Sequence, residues 1–234
     1  MVSKGKLHPA KWAIDSFLKQ TYDQKELIIV VDDPGSKVIR HVQALRANNI
    51  RLYVLDGPRR PLGVLRNISV ALANGPVVCQ WDDDDLYHPE RLAVSFRALT
   101  ESQREAVLLS RWTVWIPDSE ILVRSYERPW EGSMMAHKRA LPPYPALSMH
   151  EDKQLVDQMM LAKSVALFEH EHLYVYVYHG DNSFPRPHFV AIANASDAYS
   201  DYRGTLAELA TFAPISEYEN FIRRKTSGYF FSTW

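Results

Sequence analysis

Pro76-Val77-Val78-Cys79-Gln80-Trp81-Asp82-Asp83-Asp84-Asp85 is an apolar, β-branched run that ends abruptly in four carboxylates. The apolar part reads as a strand, and His88-Pro89-Glu90 behind the carboxylates opens a helix with Leu92, Phe96 and Leu99 on one face and Pro89 in its first turn. Working back, Leu65, Ile68 and Leu72 mark a helix closed by Asn74-Gly75, and residues 50–55 read as a strand. Val38, Ile39, Val42 and Leu45 repeat at helical spacing. Residues 27–31, Leu-Ile-Ile-Val-Val, form an unbroken apolar strand that ends in Asp32-Asp33-Pro34-Gly35-Ser36. Trp12, Ile14, Phe17 and Leu18 share a face of a helix before it. Strands separated by helices of about a dozen residues are βαβ units, so the expectation is an α/β fold with a mainly parallel sheet, its strands buried on both faces. Both acidic turns then sit at strand C-termini, where open α/β sheets bind ligands.

The second half is less regular. Residues 107–115 and 121–126 read as strands joined by Pro117-Asp118-Ser119, a loop follows at Trp130-Glu131-Gly132, and a helix begins near Glu151-Asp152 with Leu155, Val156 and Met159 inward. Residues 173–178 form a further strand, 181–188 a polar loop with prolines, and the chain from Asp201 one or two amphipathic helices. The tail Gly228-Tyr229-Phe230-Phe231-Ser232-Thr233-Trp234 either packs back on the domain or meets a membrane or partner.

Of 234 residues, 46% are hydrophobic and 24% charged, and 27 Lys+Arg against 28 Asp+Glu leave a net charge of −1. That composition suits one large soluble domain and offers no broad basic surface for nucleic acid. The lone Cys79 rules out an intramolecular disulfide framework and points to a reducing compartment. No apolar run approaches the ~20 residues that span a bilayer, and Met1 to Pro9 has no signal-like core.

Four adjacent aspartates repel one another unless water, protonation or a cation relieves them. Mg²⁺ and Mn²⁺ prefer carboxylate oxygens and complete their shells with substrate phosphates. In an extended turn Asp82 and Asp84 face one side and Asp83 the other, an Asp-x-Asp unit. The alternative is a solvated helix-entry turn. Neither G-x-x-x-x-G-K nor G-x-G-x-x-G is present, so a nucleotide has to be held through metal and side chains. Arg66, in Gly63-Val64-Leu65-Arg66-Asn67, is either a phosphate or base contact or a surface helix arginine.

Ser16-Phe17-Leu18-x-Gln20-Thr21-Tyr22, Glu26 to Asp33, Gly63-x-x-Arg66-Asn67, the aspartate run with Pro89, and Glu151-Asp152, in that order, resemble the family 2 glycosyltransferases of GT-A fold. The resemblance covers residues 10–190. It implies a Rossmann-like sheet flanked by helices, a smaller mixed acceptor-side region, and a division into a GT-A domain at 1–190 and a helical extension at 191–234. It further implies that Asp33 reads the base, that Arg66, Asp82 and Asp83 lie on the nucleotide-sugar, and that Asp84 holds Mn²⁺ or Mg²⁺. Asp152 would be the base and Glu151 would lie beside the sugar or acceptor. His179 is either a further metal ligand or a loop histidine, and Trp130 and Met134 either line the sugar and acceptor side or pack in the core.

The implied reaction is inverting transfer from a nucleotide-sugar, a UDP-sugar, to a glycan or lipid-linked glycan. It is expected in the cytoplasm or at the inner face of the membrane. A catalytically silent domain of this fold and a sugar nucleotidyltransferase are the competing readings. Family members begin with an apolar strand, of which Val2-Ser3-Lys4 would be the last residues. The first strand is therefore expected to be cut short, and an upstream extension to raise the melting temperature.

Overall fold

The computed structural model describes residues 1–3 and 5–228, with side chains through Arg224; Lys4 and the aromatic tail at 229–234 lie outside the described residues. The first half comprises β1 (Val2–Ser3), α1 (Leu7–Leu18), β2 (Leu27–Val31), α2 (Lys37–Leu45), β3 (Ile50–Val54), α3 (Leu62–Leu72), β4 (Val77–Cys79), β5 (Leu86–Tyr87), α4 (Arg91–Ser102) and β6 (Ala106–Leu109). Then come β7 (Thr113–Ile116), β8 (Ile121–Arg124), β9 (Met135–His137), α5 (Glu151–Leu161), β10 (Val165–Phe168), β11 (Tyr174–Val177), α6 (Arg186–Asn194), β12 (Asp197–Ala198), α7 (Tyr202–Ala210) and α8 (Ile215–Gly228).

β1, β2 and β3 form a parallel sheet, with Val2 opposite Val30 and Leu27 opposite Ile50. Every residue of β2 is buried because its two faces are covered differently. Leu27, Ile29 and Val31 pack with α1 and with Val38 and Val42 of α2, while Ile28 and Val30 meet Leu65 of α3. An uninterrupted β-branched run is what two covered faces require, and each such side chain contributes roughly 1.5–3 kcal/mol before chain entropy is charged against it. Met1 continues the β1 ladder, its amine donating to Ile28 O at 2.8 Å and its carbonyl accepting from Val30 N at 3.0 Å.

A second sheet runs β10-β6-β9-β4 and a third β12-β8-β7-β11-β5, both mixed. Residues 107–115 do not make one strand. β6 pairs with β10 in the second sheet and β7 with β11 in the third, and the chain changes sheets at 110–112. There Trp112 N donates to Ser125 Oγ, a contact local hydrophobicity cannot reveal. Pro89 stands before α4 rather than inside it, since Glu90 is the N-cap. The proline-bearing loop becomes α6 at Arg186.

The third sheet has two covered faces. Tyr174 belongs to the main core, whereas Val175 and Val177 join Trp115, Leu209, Ile215 and Tyr218, so α7 and α8 close the sheet's far side. Among the described residues no helix is long and apolar enough to cross a membrane.

Candidate active site

The strand-end aspartates open onto a cavity of about 380 Å³ between α3, the N-terminus of α5 and β11. All four line it, yet each is held differently. Asp82 Oδ1 accepts from Arg66 Nη2 at 2.9 Å and its Oδ2 from Tyr174 Oη at 3.3 Å. Its own amide donates to Tyr87 Oη. Burial raises the pKa of Asp82, but Arg66 outweighs burial and keeps the group below the ordinary carboxylate range. The Oδ2 of Asp83 is buried without a hydrogen-bond partner, and burial together with Asp84 pushes its pKa up to about 7. Asp84 Oδ2 lies 3.1 Å from His179 Nε2. Asp85 is fully buried and accepts from Val177 N at 3.0 Å and Tyr174 Oη at 2.6 Å, fastening the acidic turn to β11.

Arg66 joins three elements. From α3, Nε donates to Glu151 Oε1 at 2.8 Å and Nη2 to Asp82, tying the first turn of α5 to the end of β4. Burial disfavours its charge, but Asp82, Asp152 and Glu151 outweigh burial and raise its pKa well above the usual value. Its donors Nε and Nη2 are therefore engaged by carboxylates, although the residue still lines the cavity. The neighbouring Asn67 explains the second half of the Arg-Asn motif. Its amide donates to Tyr144 O and accepts from Tyr144 N, both at 2.8 Å, as a paired strand would. That pins the segment leading to α5. Gly63 N donates to Leu147 O, and a methyl group at Gly63 would overlap the Pro145 carbonyl. Asp152, next to Glu151, lines the cavity and accepts from the Lys153 amide.

The far wall is aromatic. Trp112 stacks on Trp130 at 4.3 Å and on Tyr176 at 4.8 Å, and Phe184 stacks on His188 at 4.3 Å. Trp130 thus both packs in the core and presents itself at the cavity, its indole donating to Tyr126 O. Trp112, Tyr174 and Tyr176 carry much of this wall and were not anticipated. The two-residue spacing of Tyr174 and Tyr176 is the signal that puts them on one face.

Three expected residues sit elsewhere. Asp33 does not line the cavity; it accepts from Gly35 N at 2.9 Å and from Arg59 Nη2 at 3.2 Å, on the turn beyond β2. Met134 is buried with Tyr144, Leu155 and Val156, because its side chain turns behind the cavity wall into the second core. His179 is wholly buried beneath Asp84 rather than on an open loop.

Among the described residues no group of three or more His, Cys, Asp or Glu side chains converges on one point as a closed metal cage. Asp84, at the cavity, and His179, buried behind it, are a two-donor set. Such a set fits a hard divalent cation whose remaining positions are filled by water and substrate phosphate. The Asp181 amide donates to His179 Nδ1, and Nε2 is the ring nitrogen that faces Asp84.

Known proteins share this fold. The mannosyltransferase PcManGT from Pyrobaculum calidifontis, solved with GDP-Man and Mn²⁺, superposes with a TM-score of 0.53 over 81% of this chain and 57% of its own, at 17% identity. S. aureus TarS 1-349 in complex with UDP-GlcNAc gives a TM-score of 0.63 over 94% of this chain and 68% of its own, at 15% identity. These neighbours establish the GT-A fold. Chondroitin synthase of Pasteurella multocida is 22% identical over 238 residues, which span 92% of this chain and 24% of the synthase. This chain therefore matches about a quarter of that relative's length. Residues 9–142, which include Arg66 and the whole acidic turn, match the sequence profile of glycosyl transferase family 2, and the chain belongs to that family.

Proposed function

We propose that the chain transfers a sugar from a nucleotide-sugar, a UDP-sugar, to a hydroxyl of a glycan or glycoconjugate, with inversion at the anomeric carbon. The observation that carries this reading is the Arg66 brace, which draws Asp82 and the Glu151-Asp152 turn together at one cavity. Asp82 and Asp83 face the donor. Asp84 and His179 would hold a divalent cation, which supplies positive charge against that growing on the departing nucleoside diphosphate. Asp152 accepts the proton of the attacking acceptor hydroxyl. The aromatic wall of Trp112, Trp130 and Tyr176 gives a sugar an apolar face to stack on. A TarS structure holding UDP-GlcNAc supports a UDP-sugar donor, and the PcManGT structure with Mn²⁺ supports the cation. The resemblance to a chondroitin synthase supports a polysaccharide acceptor.

The test is calorimetric titration of UDP into the protein with Mn²⁺ and then with EDTA, repeated on Asp84→Ala and Asp152→Asn. Binding should need Mn²⁺, vanish in Asp84→Ala and persist in Asp152→Asn, whose transfer rate should fall by about 10²–10⁴-fold. Metal-independent binding, or full transfer by Asp152→Asn, would remove the corresponding assignment.

A further inference from the structure

The acidic turn is held from behind by a helix outside the matched family segment. Tyr218 of α8 is completely buried, and its Oη donates to the backbone carbonyl of Asp84 at 2.6 Å, across 134 residues of chain. Its ring lies 4.3 Å from that of Trp12 on α1 and 5.9 Å from that of Trp115 on β7, so α1, β7 and α8 together fix where the hydroxyl points. His179 contacts the Asp84 side chain, and further tethers act through Arg66 and Tyr87 on Asp82 and through Tyr174 and Val177 on Asp85.

We propose that Tyr218 is a positioning residue. Its hydrogen bond fixes the Asp84 peptide, and with it the carboxylate that faces His179, so that α8 is a working part of the donor site. The inference rests on the reading of Asp84 as the residue that holds the cation. Tyr218 itself packs in an apolar cluster with Trp12, Trp115 and Ile222, so losing its hydroxyl takes a part-buried hydrogen bond from the Asp84 carbonyl, and the turn relaxes to find another partner. By linkage, whatever binds at Asp84 must in turn steady α8.

The test compares wild type, Tyr218→Phe and Tyr202→Phe in UDP titrations with Mn²⁺ and with EDTA. Tyr202→Phe removes a hydroxyl from neighbouring α7 that makes no hydrogen bond to the acidic turn. Tyr218→Phe should weaken Mn²⁺-dependent UDP binding about 5–10-fold, the range of one lost hydrogen bond, with binding in EDTA unchanged and Tyr202→Phe equal to wild type. In wild type, UDP with Mn²⁺ should also slow amide hydrogen exchange along α8. That readout needs no variant and decides the matter should Tyr218→Phe fold poorly. If wild type binds UDP without any metal dependence, the Asp84 assignment falls and this inference falls with it. If wild type is metal-dependent but Tyr218→Phe binds as tightly, or both variants weaken equally with and without metal, or α8 exchange ignores the ligand, the positioning role alone is overturned.

Discussion

Arg66 shows how one side chain can hold two elements of a site together. Its guanidinium stands between Asp82 and the 2%-exposed Glu151, and removing it would leave a buried carboxylate without its cation. Breaking a buried pair on one side typically costs ~3–5 kcal/mol, whereas removing both charges is far milder. Arg66→Met should therefore lower unfolding stability in urea by about 3 kcal/mol, and Arg66→Met with Glu151→Gln should recover more than half of that. A single variant within ~1 kcal/mol of wild type would show that the brace is solvent-relaxed and energetically idle. The residue types of this cluster were legible in the sequence, and Asp82, Asp84 and Asp152 do face one cavity. What each does was less legible, because the deciding partners are remote. Asp85 is a structural anchor because Val177 lies 92 residues away, and Asp33 is diverted by Arg59, 26 residues on.

At the scale of elements, helix α3 does two jobs. Its apolar side packs under β2 through Leu65, and its other side carries Gly63 and Asn67 against residues 144–147. The glycine is needed for close approach, since a Cβ there meets the Pro145 carbonyl and the Glu151 side chain. Backbone cannot shift as a side-chain tip can, so Gly63→Ala must push the segment outward and carry the start of α5 with it. The expected cost is about 1–3 kcal/mol in urea unfolding, as for other overpacked sites, with a fall in transfer rate larger than the loss of UDP affinity because Asp152 moves too. Unchanged stability would mean the segment is loosely held. Strand and helix periodicity exposed α3 and β2 clearly, since both have covered faces of regular spacing. It could not expose the sheet change at 110–112, where the strand-forming sequence continues while the hydrogen-bond partners change.

Across the whole molecule the net charge is near zero, yet acid is concentrated in one cavity, and this gives the fold a pH signature. Burial first, and neighbouring Asp84 second, raise Asp83 to about 7 and Asp85 well above its ordinary value; burial also raises Glu151 against the pull of Arg66. A carboxyl whose folded pKa exceeds its unfolded value holds a proton that the unfolded chain has already lost, so stability falls as pH rises between the two values. Asp82 and Glu26 work the other way: their pKa values are depressed, and their contribution is present above the unfolded value and lost in acid. Without metal or nucleotide, unfolding free energy should therefore peak on the acid side and decline by about 1–3 kcal/mol from pH 5 to pH 8, solvent in the open cavity screening part of the effect. Asp83→Asn keeps the shape of the side chain and removes one of the titrating groups, so it should flatten that decline and raise the melting temperature at pH 8 but not at pH 5. A cation bound among these carboxylates favours their ionised forms, so adding Mn²⁺ with UDP should restore stability most at pH 8 and least at pH 5. A decline that persists unchanged in Asp83→Asn would move the signature to Asp85 and Glu151, whose carboxyl groups are tied to β11 and to Arg66 rather than to the donor side of the cavity.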